Sequence, residues 1–229
     1  GAEGFREAAA TAESRALFAS SAAELMEEHG FLGLDIDWEY PAAEDRDAFT
    51  ALLRAVRTEL SALTAKDGRA RVLSIAVGVS QSCVDALDVP AVAGIVDQVV
   101  LMTYDLTDFS RTTGHHTGLY GGESGASADT GVRRWAAAGM PRAKMLLGAA
   151  FYGKAWRGVD DPSGDGLGVR AETSGNQVMS FASVRKMAAQ DGCRSYFDDQ
   201  AQAPWLFDGS TFVSYEDERS LSAKAQYVN

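Results

Sequence analysis

Residues 33–41, GLDIDWEYP, place Asp35, Asp37 and Glu39 at every second position of an otherwise apolar run. A period of two belongs to a β-strand, whose successive side chains point to opposite faces. The three carboxylates therefore share one face, each about 6.6 Å from the next at a rise of about 3.3 Å per residue. Leu34, Ile36 and Trp38 share the other. In a confined space like charges raise one another's proton affinity, so at least one carboxyl is expected to hold a proton near neutral pH. Such a group can protonate a leaving oxygen. Glycosidic cleavage uses an acid of this kind, with a nucleophile or base on the other face of the sugar.

Two blander accounts fit poorly. A solvated edge strand would not carry so apolar a second face. A calcium loop of the EF-hand kind needs Gly at its sixth position and Glu at its twelfth; counted from Asp35, those places hold Tyr40 and Arg46.

The elements around this strand alternate between helix and strand. Residues 11–29 read as an amphipathic helix, with Leu17, Phe18, Ala22, Leu25 and Met26 on one face and Gly30 as the stop. A second helix is expected over about 42–63, with Phe49, Leu52, Leu53, Val56 and Leu60 inward, and strands over 71–80 and 96–105 with a short helical stretch near 90–95 between them. After a Gly- and Ser-rich loop come a helix over about 127–138 and a strand over 144–153. Short apolar runs alternating with helices imply βα units and a parallel sheet covered on both faces, an α/β architecture. Beyond Trp156 the composition turns loop-like, then alternates aromatic and polar residues between turn signals. That predicts a small antiparallel region with a helix at 181–190 and a domain boundary near Trp156.

Length and charge narrow the function. The chain has 229 residues, 46% of them hydrophobic, enough for a sizeable core. Lys and Arg total 21 against 32 Asp and Glu, a net charge of −11, which disfavours nucleic acid and anionic membranes as partners. No run of about 18 apolar residues predicts a transmembrane helix, and the first residues lack a basic-then-apolar leader pattern. Cys83 and Cys193 form no CxxC pair, so neither a zinc site nor a disulfide framework is legible and the redox compartment stays open.

Functional groups of parallel α/β folds gather at the carboxyl ends of strands. Glu39 sits at one such end, Tyr104 and Asp105 at a second and Tyr152 at a third. On spacing alone Asp105 serves equally well as a helix N-cap. Trp38, Tyr40, Tyr104, Tyr152 and Trp156 suit stacking on pyranose rings or packing in a core. His115 and His116 are adjacent, unlike metal ligands spaced on one helix face, and read as loop structure; His29 serves a helix C-terminus. The glycines of GESGASADTG, residues 122–131, read as turns.

At these residues the sequence resembles glycoside hydrolase family 18, the chitinases. The signature DGxDxDxE is matched by LGLDIDWE at 32–39, followed in order by MTYD at 102–105, GHHTGLY at 114–120 and LLGAAFYGKAW at 146–156. The resemblance implies a (β/α)8 TIM barrel, present here in part as roughly strands four to seven over residues 1–155. It also implies a small α+β insertion domain over 156–221 and a return toward the barrel at 222–229. It implies hydrolysis of β-1,4-linked N-acetylglucosamine in chitin, with retention and without metal or cofactor, by an exported protein whose signal peptide lies outside this chain. Family 18 departs from the two-carboxylate scheme by using the substrate itself. Carried over by position, Glu39 is the proton donor, Asp37 orients the substrate's acetamido group as it attacks, and Asp35 exchanges a proton or hydrogen bond with Asp37. Tyr104 hydrogen-bonds the acetamido group, Met102 floors its pocket, and Asp105, Tyr152, Tyr40, Lys154 and Trp156 contact sugar.

Three departures accompany the match. Leu32 replaces the first acidic residue of the signature, at what reads as the buried start of the strand. Lys154 stands where an arginine is common, exchanging a forked contact for a point charge. The chain also begins after the resemblance's third barrel strand and ends before its eighth. It is therefore expected to be a fragment, or to have its open edges covered by missing barrel segments or by another copy of itself. The rival functions are a chitin-binding lectin, which in this family typically lacks the glutamate that Glu39 supplies, and an endo-β-N-acetylglucosaminidase.

Overall fold

The computed structural model describes residues 2–107, 109–121, 125–162 and 164–229. In chain order the elements are α1 (Ala2–Ala9), α2 (Ala12–His29), β1 (Gly33–Ile36), α3 (Arg46–Asp67), β2 (Val72–Gly78), α4 (Gln81–Asp85), α5 (Val89–Ala93), β3 (Gln98–Met102), α6 (Ala128–Ala137) and β4 (Met145–Leu147). They continue with β5 (Tyr152–Arg157), β6 (Gln177–Ser180), α7 (Phe181–Ala188), β7 (Arg194–Asp198), β8 (Ala203–Phe207), β9 (Thr211–Ser214) and α8 (Glu218–Val228). The chain divides into two compact units, Gly1–Met102 with Val132–Leu146, and Thr103–Gly131 with Leu147–Asn229.

The first unit is α/β. Its sheet runs β1-β2-β3-β4, and β1, β2 and β3 are parallel, with Asp35 opposite Ser74 and Ile36 opposite Ile75. Helix α2 forms because Thr11 caps its first turn, accepting the Ser14 N–H, and because Gly30 at φ 70° closes the last turn in the left-handed region. Helix α3 buries Phe49, Leu52, Leu53, Val56 and Leu60, the stripe its sequence spacing marks out. Helix α1 is an addition to the sequence reading, which left this alanine-rich stretch unassigned. Its Phe5 stacks on Trp38 at 5.5 Å, and its Arg6 pairs with Asp45 at 3.1 Å.

The second unit holds a five-stranded sheet in the order β6-β5-β9-β8-β7, its neighbouring strands antiparallel. Each face carries its own apolar cluster. Ala155, Leu206 and Val213 pack with Val184 and Met187 of α7 on one side, and Trp156, Trp205, Phe207 and Phe212 pack with Val159 and Ala171 on the other. Gly153 is required at β5 because a Cβ there would lie 2.9 Å from Val184 and 3.0 Å from Val213.

Two expectations change. The single strand read over 144–153 is two strands in different sheets, β4 with the parallel strands and β5 with the antiparallel ones. Between them Gly148, Ala149 and Ala150 interrupt the ladder, and the Gly148 carbonyl accepts the Thr103 hydroxyl at 2.7 Å. A short apolar run carries no mark of which sheet it enters, so the break is invisible to periodicity. Leu32 is 45% exposed and not buried, although its carbonyl still accepts the Val72 N–H at 3.0 Å. Of the glycines read as turns over residues 122–131, residue 122 lies outside the described residues, as do residues 123 and 124.

Candidate active site

The acidic strand has the two-faced character its sequence implies. Ile36 and Trp38 are 2% and 1% exposed, whereas Asp35, Asp37 and Glu39 face solvent in the first unit. Pairing with β2 ends at Ile36, but the alternation of buried and exposed side chains runs on through Glu39. The buried face is anchored by aromatics: Trp38 lies against Phe5 and meets Phe49 edge-on at 5.8 Å. On the open face the Ser74 hydroxyl, from the opposing position of β2, donates to the Asp35 carboxylate. Gly33 permits the close approach of these strands, since a Cβ there would sit 3.0 Å from the Val72 carbonyl oxygen.

The chain bends at Glu39 and continues without regular structure through Tyr40 and Pro41. Tyr40 is 44% exposed, and its ring edge approaches Gly78 so closely that a Cβ on Gly78 would lie 3.2 Å from it. Met102 closes β3 and is buried. The first unit thus carries Asp35, Asp37, Glu39, Tyr40 and Met102.

The second unit gathers Tyr104, Asp105, Tyr152 and Lys154. Tyr152 and Lys154 share a face of β5 by the two-residue repeat. The Tyr152 hydroxyl donates to Asp105 Oδ1 at 2.7 Å, Lys154 Nζ lies 3.1 Å from Asp105 Oδ2, and the Tyr104 ring meets Tyr152 edge-on at 6.1 Å. Burial works against charge on Asp105, but the hydrogen bond from the Tyr152 hydroxyl and the hydrogen bond and positive charge of Lys154 outweigh it and hold its carboxyl at about 2. Asp105 is therefore a permanent anion at neutral pH. Among the described residues no helix starts at Asp105, so the N-cap alternative falls away.

Trp156, on the same strand, lies elsewhere. It is fully buried, its indole N–H donates to the Ser110 carbonyl at 2.9 Å, and its ring meets Phe212 edge-on. It supports the sheet from within and presents no open face.

The histidines play a larger part than their sequence context shows. His115 pairs through Nε2 with Asp198 at 3.1 Å, and His116 is fully buried beneath Asp105. No spacing signal marks either, because their partners are 83 and 11 positions away. A cleft of about 530 Å3, lined in part by Thr107, Phe109, His115, Tyr120 and Asp198, also lies in the second unit and includes none of the anticipated site residues. Among the described residues no group of three or more His, Cys, Asp or Glu is placed to hold a metal, both cysteines are free thiols, and no helix is long and apolar enough to cross a membrane.

A carboxylate-bearing strand in a parallel α/β unit and, in a second unit, an aromatic and charged cluster on an antiparallel sheet define a mixed α/β protein. The chain belongs to Glycosyl hydrolases family 18, whose profile matches residues 1–229. It is 31% identical to Chitinase A1 of Niallia circulans across 98% of its own length and 36% of that protein. It is 32% identical to Chitotriosidase-1 of Mus musculus across 100% of its own length and 53% of that protein. Among solved structures it resembles a family 18 N-acetylglucosaminidase from Paenibacillus barengoltzii, with a TM-score of 0.93 and 38% identity over 98% of this chain and 70% of that one. A class V chitinase from Nicotiana tobaccum in complex with NAG4 gives 0.90 and 29% over 100% and 69%. The chain spans about half the length of the curated relatives it matches.

Proposed function

We propose that this chain carries the acid–base machinery of a chitinase that cleaves β-1,4-linked N-acetylglucosamine by the substrate-assisted, retaining route. The observation that carries the reading is the exposed Asp35–Asp37–Glu39 face set over a buried Ile36–Trp38 face. Glu39 donates a proton to the leaving oxygen and then accepts one from the incoming water. The carbonyl oxygen of the substrate's 2-acetamido group attacks the anomeric carbon, giving an oxazolinium ion whose nitrogen-bound proton Asp37 holds. Asp35, itself hydrogen-bonded by Ser74, steadies Asp37. Met102 floors the acetyl pocket, Tyr104 donates to the acetamido oxygen, and Asp105, Tyr152, Lys154 and Tyr40 contact sugar hydroxyls or ring faces. The names and titles of the relatives support this substrate class: chitinases, and one structure with NAG4 bound.

In this reading residues 1–155 are part of a (β/α)8 barrel, 156–221 an α+β insertion domain and 222–229 the return, and the protein is exported to reach an insoluble polymer. The likeness to the P. barengoltzii N-acetylglucosaminidase favours a second reading within the class, release of single sugars from chain ends.

The test is hydrolysis of fluorogenic chitobiose and chitotriose glycosides by the chain, by Glu39→Gln, and by the chain extended to the length of its relatives. Activity that disappears with Glu39→Gln supports the reading, and the products separate the two modes, since single-sugar release marks the second. An extended protein that binds chito-oligosaccharides yet cleaves none replaces the enzyme with a lectin.

A further inference from the structure

We infer that His116 is a positioning residue: through its imidazole it fixes the backbone, and thereby the carboxylate direction, of Asp105. The inference deepens the proposed function and rests on it only for its kinetic consequence. Asp105 adopts φ 58°, a left-handed conformation uncommon for a residue with a side chain. Two contacts from one residue hold it there. The Asp105 N–H donates to His116 Nδ1 at 3.4 Å, and the next amide, that of Leu106, donates to the His116 carbonyl at 3.0 Å.

His116 is itself immobilised. Its own N–H donates to Ser214 Oγ at 3.0 Å, on the β9 residue opposite Lys154, and its ring lies 5.4 Å from that of Tyr152. Orientation therefore passes from the sheet through His116 to Asp105, whose carboxylate meets Tyr152 and Lys154 from the same sheet. Because Nδ1 accepts the amide proton, geometry assigns the ring proton to Nε2, which is buried without a partner among the described residues. Burial keeps the ring neutral by lowering its proton affinity, against the pull of Asp105 and the more remote Glu216; Lys224 reinforces the lowering, and His115 and Tyr152 are further titratable groups beside it.

The chemistry predicts which replacement preserves the function. Asparagine offers an acceptor oxygen near the position of Nδ1 and dispenses with the orphaned Nε2, whereas phenylalanine keeps the volume and removes the acceptor. The experiment compares wild type, H116N and H116F by carbon NMR of the Asp105 carboxyl and by kinetics on chitotriose glycosides. Asp105 is expected to titrate near 2 in wild type and to stay low in H116N, and to rise toward the ordinary carboxylate value in H116F. In parallel kcat/KM is expected to fall at least about tenfold, and up to about 100-fold, in H116F, with H116N restoring most of it. Identical Asp105 titration in wild type and H116F would overturn the inference, as would equal losses in H116N and H116F. Should H116F fail to fold, nitrogen NMR of the wild-type ring decides: an unprotonated Nδ1 at neutral pH supports the assignment and a protonated one overturns it. These spectra need no turnover, so an inactive wild type would refute the proposed function and leave the positioning role to be judged on the titration.

Discussion

Lys224 of α8 and Glu216 form an ion pair inside the second unit, with side chains only 4% and 2% exposed. The pair is not isolated: Lys224 Nζ also donates to the Thr117 carbonyl at 2.6 Å and to its hydroxyl oxygen at 2.7 Å, while Ser220 Oγ donates to the other Glu216 oxygen at 2.6 Å. The network ties the last helix to the residue after His116.

Breaking that pair on one side leaves an uncompensated buried charge, which costs about 3–5 kcal/mol. Lys224→Met is therefore expected to lower the free energy of urea unfolding by about that amount. Combining it with Glu216→Leu should recover much of the loss, since an apolar pair avoids the desolvation that both charges suffer. A double variant no more stable than the single one would show that an unpaired Glu216 carries no burial penalty and would overturn this account.

Phe5→Ala removes the ring stacked on Trp38. Phe5 is partly exposed, so the expected loss is about 1–3 kcal/mol in chemical denaturation, combining burial and ring–ring attraction. If Trp38 anchors the acidic strand, the Trp38 indole fluorescence should shift in the same variant before global unfolding.

Acid acts on Asp105 with a definite sign. Its folded carboxyl titrates at about 2, below the unfolded value near 3.9. Its contribution to stability is complete above the unfolded value and is lost as pH falls toward 2. The stability gap between wild type and Asp105→Asn should consequently be constant from about pH 5 upward and narrow below about pH 4, read from denaturation midpoints at each pH.

His115 acts in the same direction but in a higher pH window. Burial lowers its proton affinity more than Asp198 raises it, so the unfolded chain takes up a proton near 6.5 before the folded one does. Stability associated with this group is full above that value and declines as pH falls through it toward the lower folded pKa. His115→Asn should flatten the fall in denaturation midpoint between about pH 7 and 5.

Much of the first unit was legible because its signals are periodic. The α3 stripe, the Gly30 stop and the alternation through Trp38 each follow from local spacing, and each stands in the structure where spacing put it. What escaped depends on partners distant in sequence. Phe5 and Arg6 in an alanine-rich segment look like residues of a solvated face until Trp38 and Asp45 are seen beside them. The change of sheet between β4 and β5 leaves no mark in an apolar run. His116 looks like an ordinary loop residue because its importance is borne by one backbone angle, that of Asp105, and no residue pattern encodes a positive φ at an aspartate. Trp156 is an aromatic whose burial depends on Ser110 and Phe212, so composition could not say whether it faces sugar or core.

The register Asp35–Ser74 and Ile36–Ile75 gives the acidic strand an unequal tolerance to genetic change. Substituting one carboxylate alters one group, but inserting or deleting a single residue just ahead of β1 would exchange its two faces in one step. Three negative charges would then enter the apolar interior while Ile36 and Trp38 emerged into water. Length, more than identity, is thus the variable this segment cannot spare, and natural indels are expected to collect in the loops beyond Tyr40, where a shift in count moves no strand face.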